Sequence, residues 1–429
     1  MVEKDPFAGL SAKRPARAFA ALAYEAKRKN YPEWAWRTFL ANDARSKDKP
    51  KFSALIAERL SRYPDVAVAM IIDPTSDWIL SSTEKLARDF PKSFDKVLAK
   101  LVTVLHSQAS GSSSPIHQGT KEHDWTMEAA YNPVGKIGQA LLRDPRLNGL
   151  KAGEGLPPEW LTFVDGLLSL SGNLRRCAIV IFAHNLNCFY DVDTNWTERS
   201  LLCVLDSESE DDQNAFWSGF FRAAMLPGQE LFARIKPSLL ATAKNRPLSR
   251  DNHGEVLGGI VLSGWGSKSE ETQERFISNG EMRDVLLCGD DDFRCFILWQ
   301  VETWSGLLQE FLRDVWPRQI SAKTPKISAC LCDLAFSNVE LFPKIGGIVL
   351  PLLTKIDRNH AMHSSRKSRD DIADLYPHQV LAFLDAVLPD DVAAWPFGIE
   401  VTLQHIGEAA NELKRDQRWL ELNRKWNSR

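Results

Sequence analysis

Residues 94–105 read FDKVLAKLVTVL, with Phe94, Val97, Leu98, Leu101, Val102 and Leu105 at offsets 0, 3, 4, 7, 8 and 11. That spacing follows the helical turn and predicts a helix with one buried face. Phe52, Leu55, Ile56 and Leu60 repeat the pattern before it, and Trp160, Phe163, Val164, Leu167 and Leu168 repeat it after. No stretch sustains the alternation of a half-buried strand. The apolar run Ile179 to Phe182 continues into Ala183, His184 and Leu186 without a turn residue, so it reads as a buried helix. The chain is therefore expected to be all-α.

An aromatic residue directly followed by proline recurs at Tyr31-Pro32, Tyr63-Pro64, Phe90-Pro91, Phe342-Pro343 and Tyr376-Pro377. Proline lacks the N–H that a first helical turn leaves unpaired anyway, and it pushes the preceding residue out of the α region. Each dyad therefore predicts a helix start. The first three lie 32 and 27 residues apart, near the length of a helix pair, which suggests an irregular α-solenoid of HEAT-like hairpins in one continuous helical body. Along it we expect an N-terminal tail (1–17), N-terminal helical repeats (18–106), a flexible loop (107–120), central repeats (121–245) and C-terminal repeats (246–429). The last segment carries a basic, His-containing loop at 358–371, RNHAMHSSRKSRDD.

Composition bounds the function. Of 429 residues, 44% are hydrophobic and 25% charged, ample for a globular core. Lys and Arg total 53 against 56 Asp and Glu, a net charge of −3, so no global field attracts nucleic acid or an anionic membrane. Seven cysteines without a Cys-x-x-Cys predict reduced thiols. Charges and prolines in MVEKDPFAGLSAKRPARAF replace the apolar run of a signal peptide, and no apolar stretch is long enough to span a membrane. A cytoplasmic location is expected.

No motif for common chemistry is present. The glycines at 258, 259, 264, 266, 346 and 347 form neither a phosphate-binding loop nor a dinucleotide fingerprint, and read as helix contacts and turns. Neither a Gly-x-Ser-x-Gly elbow nor a His-Glu-x-x-His helix occurs. His360 and His363 lack the further ligands zinc needs, so no metal or other cofactor is expected. Asp290, Asp291 and Asp292 read as helix-start residues, and the acidic run 206–212 as a solvated helix boundary. Cys288 and Cys295, one heptad apart, are expected to face one core, and Cys330 and Cys332 to be buried small apolar groups. Trp34, Trp36, Trp78, Trp196, Trp217, Trp299 and Trp304 sit in apolar periodic stretches and are expected mostly in the core. Arg366, Lys367 and Arg369 form the densest basic run, followed by Lys13, Arg14 and Arg17. Both runs read as solvated faces, with direct nucleic-acid contact as the lesser alternative. With Arg358, the first run forms the candidate partner-contact set: Arg358, Arg366, Lys367 and Arg369.

Four blocks carry a resemblance: YPEWAWRTFLANDARSKDKPKFSALIAERLSRYP (31–64), NPVGKIGQALLRDPR (132–146), VDTNWTERSLLCVL (192–205) and AFWSGFFRAAMLPGQELFARIKPSLL (215–240). From about Ala18 to Trp426 the chain resembles the helical region that follows the catalytic domain in bacterial defence-associated sirtuins, anti-phage proteins that hydrolyse NAD. The resemblance implies a non-catalytic module for sensing or assembly, whose partner is a sirtuin-like NAD-hydrolysing domain or a phage protein; self-association stays open. The catalytic signature of that family is missing. There is no Gly-Ala-Gly, no Asn-x-Asp, and the single His-Gly, His253-Gly254, is expected in a polar loop, RPLSRDNHGE. Hence the chain is expected not to be an enzyme. The alternative reading is a free-standing helical-repeat adaptor in another cytoplasmic pathway.

Overall fold

All five aromatic–proline dyads open helices in a computed structural model that describes residues 6–41, 45, 47–108, 124–245, 252–304 and 306–428. Pro32 and Pro64 stand at N-cap positions, Pro91 and Pro377 at the first helical residue and Pro343 at the second. In each place the absent proline N–H removes no helical hydrogen bond.

The N-terminal helices are α1 (Pro6–Lys13), α2 (Pro15–Lys27), α3 (Glu33–Leu40), α4 (Pro50–Leu60), α5 (Asp65–Ala69), α6 (Ile72–Asp89) and α7 (Pro91–Gln108). After them come α8 (Trp125–Tyr131), α9 (Pro133–Leu142), α10 (Pro158–Leu168), α11 (Gly172–Ala183), α12 (Leu186–Val192), α13 (Thr194–Ser200) and α14 (Glu210–Ala223). A second series begins with α15 (Gln229–Asn245), α16 (Asn252–Gly266), α17 (Asn279–Cys288), α18 (Asp291–Glu302), the single turn α19 (Leu308–Glu310) and α20 (Pro325–Ala335). It ends with α21 (Phe342–Val349), α22 (Arg366–Leu375), α23 (Pro377–Val387), α24 (Ile399–Ala409) and α25 (Gln417–Asn427). Among the described residues there is no strand, only two isolated bridges, and no helix long and apolar enough to cross a membrane. The all-α expectation holds.

Two compact units emerge, Met1–Met225 and Leu226–Arg429, where the sequence suggested one continuous body. Within the first, the run at Ile179 to Phe182 lies in α11, where every residue from Cys177 to Ala183 is buried. This helix reads as apolar all round because α8, α9, α10 and α14 all pack against it. Trp160, Phe182, Phe189 and Trp196 interlock nearby with ring centroids 5.5 to 6.4 Å apart. Residues 6–17, expected as a tail, are instead largely helical. Phe7 meets Trp34 edge-on at 5.3 Å, and the Ser11 carbonyl accepts a 3.0 Å hydrogen bond from buried Arg45.

Contact between α11 and α14 depends on Gly219, since a Cβ there would stand 2.2 Å from the Val180 carbonyl oxygen and 2.9 Å from its Cα. Backbone cannot yield as a side chain does. Gly219→Ala is therefore expected to destabilise the first unit by about 2 kcal/mol. Gly259→Ala, with nothing within 4 Å of the added carbon, should stabilise its helix by about 0.5–1 kcal/mol. Urea denaturation midpoints of the two variants check both signs.

In the second unit, Gly258, Gly264 and Gly266 meet Phe293, Phe232 and Trp304, the close helix contacts read from the sequence. Asp290 caps α18 by accepting from the Phe293 N–H at 2.8 Å. In the first unit, Ser209 in the middle of the acidic run caps α14, and Glu210, Asp211 and Asp212 form its first turn. Other expectations need correction. Trp36, Trp78, Trp196 and Trp217 are buried, but Trp34 and Trp299 are 61% and 57% exposed. Cys288 is exposed while Cys295 is buried, so they share no core. Cys295 on α18 and Cys330 on α20 pair as a disulfide with Cα atoms 6.2 Å apart, where reduced thiols were expected. Glutamate 255 follows His253-Gly254 within the first turn of α16, so the dipeptide is helical and not in a loop. Of the expected flexible loop (107–120), residues 109–120 lie outside the described residues, and residues 107 and 108 end α7.

Candidate partner-contact site

The basic segment 358–371 is a short tight connection followed by the start of α22. Asp357 shapes its beginning: its carboxylate accepts from the Asn359 and His360 N–H groups at 2.9 and 3.0 Å and lies 2.9 Å from His360 Nδ1. Those contacts hold the Asp357 carboxyl below its ordinary pKa, although its partial burial pulls the other way first. Further on, Ser365 caps α22 by accepting from the Ser368 N–H at 3.2 Å, and the Ser368 hydroxyl donates to the Phe336 carbonyl. Residues 366–371, expected as loop, are thus the first turns of a helix. A serine followed by charged residues was the local signal.

Underneath lies Asp333 of α20, whose carboxylate accepts from the His363 and Ser364 N–H groups at 2.7 Å each. Burial raises its pKa, and the two N–H groups oppose that shift. Arg369 is the keystone and is 2% exposed, contrary to its expected place on the rim. It donates to the Ser364 carbonyl at 2.8 Å and to the Phe397 carbonyl at 2.7 Å, joining the segment to the turn before α24. Burial lowers the guanidinium pKa, while Asp370 and Asp333 counter that effect. Asp370 in turn accepts from the Thr402 hydroxyl of α24 at 2.7 Å.

The other three candidates face solvent. Arg358 pairs with Asp391 at 2.6 Å, and its side chain remains 69% exposed. Arg366 reaches Asp370 at 3.5 Å with half its side chain exposed, its stem lying over Gly398, which has φ +79°. Lys367 is exposed and forms no ion pair among the described residues. The structure therefore gathers the four residues in one segment but gives them two roles. Arg369 builds the surface; Arg358, Arg366 and Lys367 present it. The clue in the sequence was spacing, because Arg369 stands three and four residues before Ile372 and Ala373, on the buried stripe of α22.

Nothing at this segment assembles a nucleophile with a base, and no group of His, Cys, Asp and Glu suited to a metal ion occurs among the described residues. One surface feature in the first unit escaped the sequence reading. Tyr31, Pro64, Val66, Ala67 and Met70 line a shallow apolar groove, with Val66 76% exposed and the Tyr31 ring 5.0 Å from that of Tyr63. Two aromatic–proline dyads meet there, and their separation in sequence hid the meeting. No model of a protein family, no curated protein and no solved structure matches the chain.

Proposed function

We propose that this chain is a non-catalytic helical sensor or scaffold module of a sirtuin-type anti-phage defence system, regulating or assembling an NAD-hydrolysing domain in cis or in trans. The four sequence blocks carry the reading. They fall on α3 to α4, α9, α13 and α14 to α15, where they supply buried helix faces: Trp36 and Phe39, Val134 and Ile137, Trp196, and Phe216 to Phe232. On this reading the helices follow one another as irregular HEAT-like hairpins, an architecture suited to displaying partner surfaces. Contact with the NAD-hydrolysing domain, or with a phage protein, uses the rim of Arg358, Arg366 and Lys367. Such exposed charges govern association rate and its salt dependence more than stability.

The test mixes the purified chain with a sirtuin-like domain encoded beside it. Co-elution and an altered rate of NAD loss are expected, while the chain alone leaves NAD intact over hours. Arg366→Ser with Lys367→Ser should weaken the complex several-fold at low salt and leave the thermal transition in place. Absence of any complex or rate change would overturn the proposal. So would steady release of nicotinamide by the chain alone, lost on His253→Ala.

A further inference from the structure

Helix α2 carries a second surface, independent of the partner-contact reading. From Lys13 to Lys29 six cations stand against one carboxylate, Glu25, in a chain whose net charge is −3. The inner face of α2 buries Ala18 and Leu22 and sets Phe19 against the rings of Trp36, Phe39 and Phe52. Its outer face is Arg17, Ala20, Ala21, Tyr24, Lys27 and Arg28, all exposed and at helical spacing. Arg28 reaches Glu25 at 3.4 Å and holds its guanidinium 5.9 Å from the centre of the Tyr24 ring, which is 60% exposed. Lys13, Arg14, Arg17, Lys27 and Lys29 form no ion pair among the described residues. Helix stability accounts for only part of this arrangement. Cations suit the C-terminal ends of α1 and α2, where Lys13, Arg14 and Lys27 stand, but Arg17 sits in the first turn of α2, where the helix dipole disfavours it.

We propose that this face binds the phosphate backbone of a single-stranded nucleic acid. Charge complementarity names the ligand: unpaired cations flank both ends of a helix about 20 Å long, a span of several phosphates. Between them Ala20 and Ala21 leave room for a strand to lie close, and Tyr24 offers a ring on which an unpaired base can stack. An anionic membrane would call for large apolar side chains beside the cations, and on α2 Phe19 and Leu22 are turned into the core, leaving only the Tyr24 ring outside. An acidic peptide would find the charges but no pocket between them.

Fluorescence anisotropy of the full chain with a labelled DNA strand of roughly 20 nucleotides tests the assignment. Binding should weaken with salt, log K falling with log salt at a slope of about −3, as four or five phosphate contacts to a single strand require. Combining Arg17→Ser, Lys27→Ser and Arg28→Ser should reduce affinity about tenfold or more at low salt and flatten that slope by about 2, with the thermal transition unchanged. Tyr24→Ala should cost about fivefold or more by removing the stacking ring, and Arg17→Lys with Arg28→Lys should retain binding. Three results would each overturn the proposal: no salt-dependent binding, a triple variant that binds as tightly as the parent, or equal affinity for polyglutamate or phosphatidylserine vesicles.

Discussion

Replacing Arg369 with alanine is expected to destabilise the Leu226–Arg429 unit by about 3–5 kcal/mol, the range for losing two buried hydrogen bonds from a charged donor. The substitution strips the donors from the Ser364 and Phe397 carbonyls, and it removes a nearby positive charge from Asp333 and Asp370, of which Asp370 keeps Arg366. Loss of the Phe397 contact also frees the turn that leads through Gly398 into α24. Arg366→Ser and Lys367→Ser, on exposed positions of the same helix, should each stay within about 0.5 kcal/mol. Urea denaturation measures the difference, and hydrogen exchange should locate it in residues 359–375 and 397–402. A midpoint for Arg369→Ala within error of the parent would show that the guanidinium contributes nothing the surrounding packing does not.

Breaking the Cys295–Cys330 link is expected to cost the same unit about 4 kcal/mol, as the chain-entropy relation gives for a closed loop of 35 residues. The pair ties α18 to α20, helices that already pack together and are further joined by the Thr324 hydroxyl donating to Asp291 at 2.6 Å. Cys330→Ser should lower the thermal transition, and reductant should lower that of the parent but not of the variant. Alkylation in denaturant before reduction should label five cysteines, Cys177, Cys188, Cys203, Cys288 and Cys332, and after reduction all seven. Seven labels without reduction would show that the thiols are free in the isolated protein, as the sequence suggested. In a strongly reducing compartment the same substitution would leave stability nearly unchanged.

The partner-contact site was half legible. Lys367 and Arg358 are exposed as their polar neighbours imply, because a short charged segment has little apolar surface to hide. Arg369 has the same composition around it and the opposite fate. Its burial follows from the helix register that begins at Ser365, and from the Phe397 carbonyl, which arrives from 28 residues away. The groove at Tyr31, Val66 and Met70 was invisible for the same reason: its walls come from two helix starts that meet only in the fold.

Local signals decided the helices themselves. Offsets of three and four residues, prolines at five helix starts and serine or aspartate caps at Ser209, Asp290 and Ser365 act within one turn, and helical hydrogen bonds join residues four apart, so the information needed is short-range. Tertiary structure alone decided which side of each helix met what. It exposed Trp34 and Trp299 from apolar stretches, buried Arg369 in a basic one, paired Cys295 with a thiol 35 residues on, and required Gly219 where α14 crosses Val180. These outcomes turn on contacts between segments distant in sequence, where burial and polar satisfaction depend on the neighbour that arrives and not on the residue that waits for it.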